Sequence, residues 1–275
     1  MKNKSKEKPE YTIEVDKAKK NKTRKVLIFT PCTGLLRVEW VQSRYGQIIP
    51  TNWSQSEIKH ICSDYMPLEY QLADAQNLMA LKVVQDDYDW VIFIEHDNLI
   101  PPDTFVKFNE YMNKGDVPIV SGLYFTRSDP PEPIVYRGRG NSHYTDWKMG
   151  DKFWVDGVPF GCLLMNASLI KEAWKESAEY TVGNQITRRV FDNTPKQTID
   201  ARTKEPLNES GTTDLIWCTR LMEKGLFKKA GWDKYQKMKN PFLVDSTIFV
   251  GHIEQNGRVY PLKVPDKFIP KKKKK

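Results

Sequence analysis

The chain has no two cysteines close enough to form a CxxC unit; its four, Cys32, Cys62, Cys162 and Cys218, stand far apart. That argues against a zinc knuckle or a disulfide framework, and reduced thiols are expected. No apolar run approaches the ~18–20 residues that a membrane span needs. The opening stretch MKNKSKEKPE lacks the apolar segment of a secretory signal. A cytoplasmic location is therefore expected, with peripheral contact at a membrane left open. No internal repeat is evident.

What is present is a chain of 275 residues, 39% apolar and 12% aromatic, long enough to bury a substantial core. The net charge of +8 is unevenly placed. Residues 1–25 carry 10 Lys/Arg against 4 Asp/Glu, and residues 263–275 carry 7 against 1, so the segment between them is mildly acidic. The basic character belongs to two tails, one ending in KKKKK. Solvated, disordered ends are the plain reading, and contact with an anionic lipid or nucleic-acid surface is the functional alternative. The organisation expected is a disordered basic leader (1–24), one domain (25–262) and a basic tail (263–275).

Hydrophobic patterning gives the elements. KVLIFT (25–30) reads as a buried strand, and LEYQLADAQNLMALKVVQ (68–85) as a helix with apolar residues at three-to-four spacing. WVIFI (90–94) is a strand without alternation, as expected when both faces are covered. FVKFNEYM is a helix after Pro101–Pro102, and PIVSGLYF is a third strand. In the second half, FWVDGVPFGCLLMNASLI reads as strand, glycine turn and strand, leading into a helix at IKEAWKES. The polar stretch 181–210 reads as a long mobile segment. TDLIWCTRLMEKG reads as a helix capped by Thr212 or Thr213 and stopped by Gly225, and FLVDSTIFVGHI as a late strand pair. Strand and helix alternating through residue 125 imply an α/β fold with a mixed, mostly parallel sheet flanked by helices.

In such a sheet ligands sit outside the carboxyl ends of the strands. Thr30, Pro31 and Thr33 follow the first strand, Glu95, His96 and Asp97 follow WVIFI, and Arg127 follows VSGLYF. In an extended segment Glu95 and Asp97 would point the same way. Two carboxylates held together attract a hard divalent cation; the alternative is that they cap the following loop. Arg127 suits a phosphate or a surface ion pair, and Asp156 a sugar or the acceptor. Gly161 serves either a turn or the close approach of a sugar. His60 and His143 lack any partner pattern and are read as structural.

YDWVIFIEHDN, preceded by a helix with DAQNLMALKVVQ, resembles the nucleotide-sugar-binding half of a GT-A glycosyltransferase, a Rossmann-like fold, and more narrowly the family 2-like enzymes. Their Asp-x-Asp triplet corresponds here to Glu95–His96–Asp97, and their helix signature to Ala75, Gln76 and Asn77. VSGLYFTR, VPFGCLLM, TTDLIWCTRLMEKG and VDSTIFVGHI continue the likeness in family order, from about Lys25 to Leu262. The resemblance implies a nucleotide-binding half (25–127) and an acceptor half (128–262). It implies Mn²⁺ or Mg²⁺ as cofactor and a UDP- or GDP-sugar as donor. The acceptor is left open among glycan, lipid, protein and nucleic acid, and the anomeric centre would be inverted.

Carried over by position, Asp97 would bind the metal that bridges the donor diphosphate, with Glu95 reaching ribose or metal through water. Thr30, Pro31 and the neighbouring loop with Thr33 would hold base and ribose, supported by Asn77. Asp214 falls at the general base, the alternative being a helix N-terminal acid. His252 falls at a late metal or phosphate ligand. The chain departs from the family at Glu95, at His96 and at Thr213, and it has no QxxRW motif, which disfavours a processive synthase. Two rival readings stand: a nucleotidyltransferase, and a non-catalytic binder of nucleic acid or membrane surfaces. The first is poorly served by TPCTGLLR, which has one glycine where a phosphate loop wants several.

Overall fold

A computed structural model describes residues 24–50, 60–138, 143–193, 196–199, 206–209 and 212–270. Most of the leader and the last five lysines of the tail lie outside these residues, as does the side chain of His60.

The first half alternates strand and helix: β1 (Arg24–Phe29), α1 (Val38–Tyr45), β2 (His60–Tyr65), α2 (Leu72–Gln85), β3 (Trp90–Ile94), the short β4 (Asn98–Leu99), α3 (Thr104–Lys114) and β5 (Ile119–Leu123). The second half adds β6 (Lys152–Val155), β7 (Cys162–Asn166) and α4 (Ala167–Lys175). It continues with β8 (Glu179–Val182), β9 (Gln185–Arg188), β10 (Lys196–Ile199) and β11 (Pro206–Glu209). Then come α5 (Thr213–Glu223), α6 (Leu226–Lys229), α7 (Asp233–Gln236), β12 (Phe242–Phe249), β13 (Gly251–Ile253) and β14 (Val259–Tyr260).

Among the described residues the central sheet has seven strands in the order β2-β1-β3-β7-β5-β12-β6. The pairs β1–β2, β1–β3 and β5–β12 are parallel, whereas β7 runs against both neighbours and β6 against β12. Five strands thus share one direction, and the fold is a Rossmann-like α/β sandwich with a mostly parallel sheet. Its core divides by strand parity. Leu27 and Phe29 of β1 and Val91 and Phe93 of β3 pack on the face covered by α2, α4 and α5. Val26, Ile28, Trp90, Ile92 and Ile94 pack on the opposite face, with Trp40 of α1 and Phe105, Phe108 and Met112 of α3. Apolar residues are therefore needed at every position of β1 and β3, which is why neither strand alternates.

Two expectations need correction. The stretch 181–210 is not one long mobile segment: β8 pairs with β9 and β10 with β11 as antiparallel hairpins. The first turns at Gly183, whose φ of +56° suits glycine. Asn77 does not support a nucleotide. Its amide nitrogen donates to Tyr180 Oη at 2.8 Å and to the Phe191 carbonyl at 2.9 Å, and its amide oxygen accepts the Phe191 N–H at 2.8 Å. The Asn77 carbonyl accepts the Thr187 hydroxyl at 2.8 Å. With no hydrogen-bonding capacity left on its amide nitrogen, this buried side chain clamps α2 to the segment 180–191.

Asn77→Ala leaves the buried N–H and C=O of Phe191 without these partners. A loss of stability on the order of 3 kcal/mol is expected in urea unfolding followed by tryptophan fluorescence. A change below about 0.5 kcal/mol would remove the clamp.

Candidate functional site

β3 drives Ile94 to the end of the sheet, and the chain then turns: the Asn98 N–H donates to the Glu95 carbonyl at 3.1 Å. Glu95 to Asp97 is therefore a turn, not extended chain, and the two-residue alternation of side-chain direction ends at Ile94. The two carboxylates instead bracket one side chain. The Asn98 amide nitrogen lies 3.2 Å from Asp97 Oδ1 and 3.5 Å from Glu95 Oε2. Asn98 is fully buried, and β4 holds it through antiparallel pairing with His252 of β13.

That pairing delivers a second ligand type. His252 Nδ1 is 3.0 Å from the Phe125 carbonyl, an oxygen that only accepts, so this nitrogen carries the ring proton. Burial first, then the nearby Arg127 cation, pushes the imidazole down to about 4, so it is neutral at pH 7. Its Nε2 consequently presents a lone pair, 3.5 Å from Asp97 Oδ2. An anionic oxygen and a lone pair at that distance have no proton to share; a cation relieves the opposition. In this structure the cation is Arg127, whose Nη2 donates to the same Asp97 Oδ2. Among the described residues no group of three His, Cys, Asp or Glu converges on one point, so Glu95 does not complete a triad with Asp97 and His252.

Glu95 looks elsewhere. Burial, and next the negative charge of Asp214, push its carboxyl up to about 7. Asp214 sits in the first turn of α5, where its carboxylate accepts the Thr212 hydroxyl and the Leu215 N–H, the latter at 2.8 Å. Burial raises it above the usual carboxylate range against those bonds. Thr212 is the N-cap residue, as expected, but its hydroxyl serves Asp214 instead of the helix backbone. Tyr124 and Tyr136 both feel the Asp214 charge, and Tyr124 lies edge-on to His252 with ring centres 5.4 Å apart. Residues 95, 97, 124, 127, 214 and 252 are thereby gathered at one end of the sheet.

A cavity of about 500 Å³ opens beside them, lined by Pro31, Cys32, Thr33, Glu69, Tyr70, Gln71, Leu72, Glu95, His96 and Asp97. This is ample for a ligand of nucleotide size. His96 Nδ1 lies 3.1 Å from the Pro31 carbonyl, which fixes its ring against the cavity wall; burial keeps this imidazole below its usual range. Glu69 adopts a left-handed φ of +64°, a conformation uncommon outside glycine, and its N–H binds the Cys32 carbonyl at 2.9 Å.

Four expected site residues fall elsewhere. Thr30 is buried and extends the β1–β2 ladder through its N–H to the Tyr65 carbonyl at 3.0 Å. Asn77 is the clamp described above. Asp156 accepts the Gly138 N–H at 2.6 Å and does not line the cavity. At Gly161 a Cβ would lie 2.3 Å from Asn98 Nδ2 and 2.4 Å from Tyr124 Oη, so the missing side chain makes room for protein atoms rather than for a sugar. His143 is not isolated: its Nε2 meets Glu132 at 3.2 Å and its ring lies against Tyr136. Glu69, Tyr70, Gln71 and Leu72 escape sequence reasoning because they follow β2, whose polar HICSDY gives no strand signal.

No protein-family model matches the chain, and no curated protein matches it. Solved structures with some likeness include A197 from STIV, at 13% identity and a TM-score of 0.47 over 84% of this chain and 86% of that one. A glucose-1-phosphate thymidylyltransferase from Bacillus anthracis follows at 13% and 0.30, over 56% and 75%. An apo UDP-glucose pyrophosphorylase stands at 10% and 0.33, over 81% and 72%. At these scores none of them bears on what the chain does.

The Glu95 carboxyl titrates near 4.5 ordinarily and near 7 here. Between those values the folded protein holds a proton that the unfolded chain has lost, so this group's contribution to stability falls as pH rises from about 4.5 to 7. Glu95→Gln should therefore be more stable than wild type at pH 8, by on the order of 2 kcal/mol, with the gain vanishing below about pH 4. Urea titrations at the two pH values read this; a variant no more stable at pH 8 would overturn the burial argument.

Proposed function

We propose that the chain transfers a sugar from a nucleotide-sugar donor to an acceptor hydroxyl, as a metal-assisted glycosyltransferase. The observation that carries the reading is that Asp97, 3.5 Å from His252 of a separate strand, shares the wall of a nucleotide-sized cavity with Glu95. Asp214, from a third segment, is near enough to Glu95 for its charge to raise that carboxyl.

A divalent cation fits the pair Asp97 and His252. One carboxylate and one neutral imidazole, its lone pair fixed by the Phe125 carbonyl, face each other across 3.5 Å. Mg²⁺ and Mn²⁺ take few protein ligands and complete their shells with water and phosphate oxygens. Bound there, the ion would supply charge stabilisation to the departing nucleoside diphosphate. Glu95 is assigned no ligand role.

The remaining work belongs to the chain. Pro31, Cys32 and Thr33 on one side and Glu69 to Leu72 on the other enclose the nucleoside, with Tyr70 available to lie against a base. Arg127 carries a positive charge at the diphosphate end. Asp214 accepts the proton of the attacking hydroxyl. Its raised affinity for a proton, caused by burial, suits that task better than a solvated aspartate would. The charge of Asp214 also favours a proton on Glu95, so the pair places one base and one acid in the same field.

Asp97→Asn is expected to abolish Mn²⁺-dependent binding of UDP and GDP in calorimetry. Asp214→Asn should bind them as wild type does while losing turnover on the order of 10²–10⁴-fold. Release of nucleoside diphosphate from a panel of nucleotide-sugars reads the reaction; release of pyrophosphate instead, or full turnover in Asp214→Asn, would overturn the assignment.

A further inference from the structure

Arg127 leaves the end of the sheet just beyond β5, in a segment with its own fastening. The Thr126 N–H donates to the Glu132 carbonyl at 2.8 Å, and the Glu132 N–H donates back to Thr126 Oγ1 at 3.0 Å. The backbone is pinned, and the side chain, 34% exposed, reaches Asp97 from the solvent side. Its guanidinium donates to Asp97 Oδ2, the same oxygen that lies 3.5 Å from His252 Nε2. Arg127 thus stands on the carboxylate oxygen that a divalent ion would have to share. Two cations on one carboxylate oxygen repel each other and compete for the same lone pairs. An incoming diphosphate changes the balance, because its oxygens offer a planar guanidinium a bidentate partner of higher charge.

Resting on the donor reading above, we propose that Arg127 is an exchangeable counter-cation. In the free protein it neutralises Asp97; when donor and metal arrive together it yields Asp97 to the ion and moves onto the diphosphate. The consequence is thermodynamic coupling. Metal alone must evict Arg127 with nothing to receive it, and nucleotide alone must pull Arg127 away and leave the Asp97 carboxylate without its cation. Each ligand therefore binds weakly by itself and tightly with the other, and by linkage the two enhancements are equal.

Titration calorimetry with Mn²⁺ alone, with UDP or GDP alone, and with both, on wild type, Arg127→Gln and Asp97→Asn, tests this without any turnover. For wild type, saturating nucleotide should tighten Mn²⁺ at least tenfold. For Arg127→Gln, Mn²⁺ alone should bind several-fold tighter than to wild type, nucleotide in the presence of Mn²⁺ several-fold weaker, and the coupling should fall several-fold, to what the metal–phosphate contacts supply. These opposite changes in one variant are the signature, because an unfolded or merely loosened protein loses both affinities. If Asp97→Asn loses Mn²⁺ but Arg127→Gln binds it no tighter than wild type, the exchange is wrong and the metal site stands. If wild type binds neither nucleotide with Mn²⁺, or Asp97→Asn binds Mn²⁺ unchanged, the donor reading falls and the exchange falls with it.

Discussion

Negative charge without enough positive charge to match it is the constraint on which this site depends. Asp97, Glu95, Asp214 and the bare Nε2 of His252 are brought to one end of a sheet whose core is apolar on both faces, and Arg127 is the cation that the structure places among them. Water screens such groups poorly when they are half-buried, so each settles by its own means. Glu95 takes up a proton more readily, His252 gives its proton up, and Asp97 binds the guanidinium. A site that resolves its electrostatics in three different ways is poised to change when a ligand brings further charge.

The scaffold explains why these groups cannot drift apart. Glu95 is held through its backbone: its N–H donates to the Gly161 carbonyl at 3.0 Å, and its own carbonyl accepts the Trp40 indole N–H at 2.9 Å. Asn98 threads between the two carboxylates and is itself wedged over Gly161, where even a methyl group would collide with it. His252 is locked by Phe125 from the strand end that also leads to Arg127. The backbone and Asn98 fix the carboxylates, while Arg127 reaches Asp97 through a long, partly exposed side chain. A group held by a partly exposed ion pair is displaced at less cost than one bonded into buried backbone.

Much of the fold is legible in the sequence where burial on both faces forces unbroken apolar runs, as in β1 and β3, or where three-to-four spacing marks one buried stripe, as in α2. It is illegible where tertiary contacts invert the pattern. On α1, Val38, Val41 and Tyr45 face outward while Trp40 and Arg44 are buried, the arginine paired with Asp64 and lying over the Phe105 ring. No amphipathic reading finds that helix. β2 is an edge strand with one neighbour, so HICSDY carries none of the apolar density that gave away β1. With β2 unseen, the Glu69–Leu72 wall of the cavity could not be placed at the ligand edge.

The site was partly legible for the same reason. Glu95, His96, Asp97, Arg127, Asp214 and His252 lie at or just beyond the ends of elements the sequence makes plain, and topology alone brings them together. Thr30, Asp156 and Gly161 also lie at such ends, and Asn77 lies inside α2, yet each is consumed by the structure. A polar residue at a strand end has two possible clients, the backbone around it and a ligand, and sequence spacing does not distinguish them. The difference lies in what satisfies the group. Asn77 has no hydrogen left to offer from its amide nitrogen, and Gly161 has no space left to fill. Asp97, by contrast, is held through side chains: one oxygen accepts from Asn98, and the other lies between the Arg127 guanidinium and the His252 ring. A carboxylate at a cavity wall whose partners are side chains can exchange one of them for a ligand, which a group bonded into buried backbone cannot do without loosening the fold.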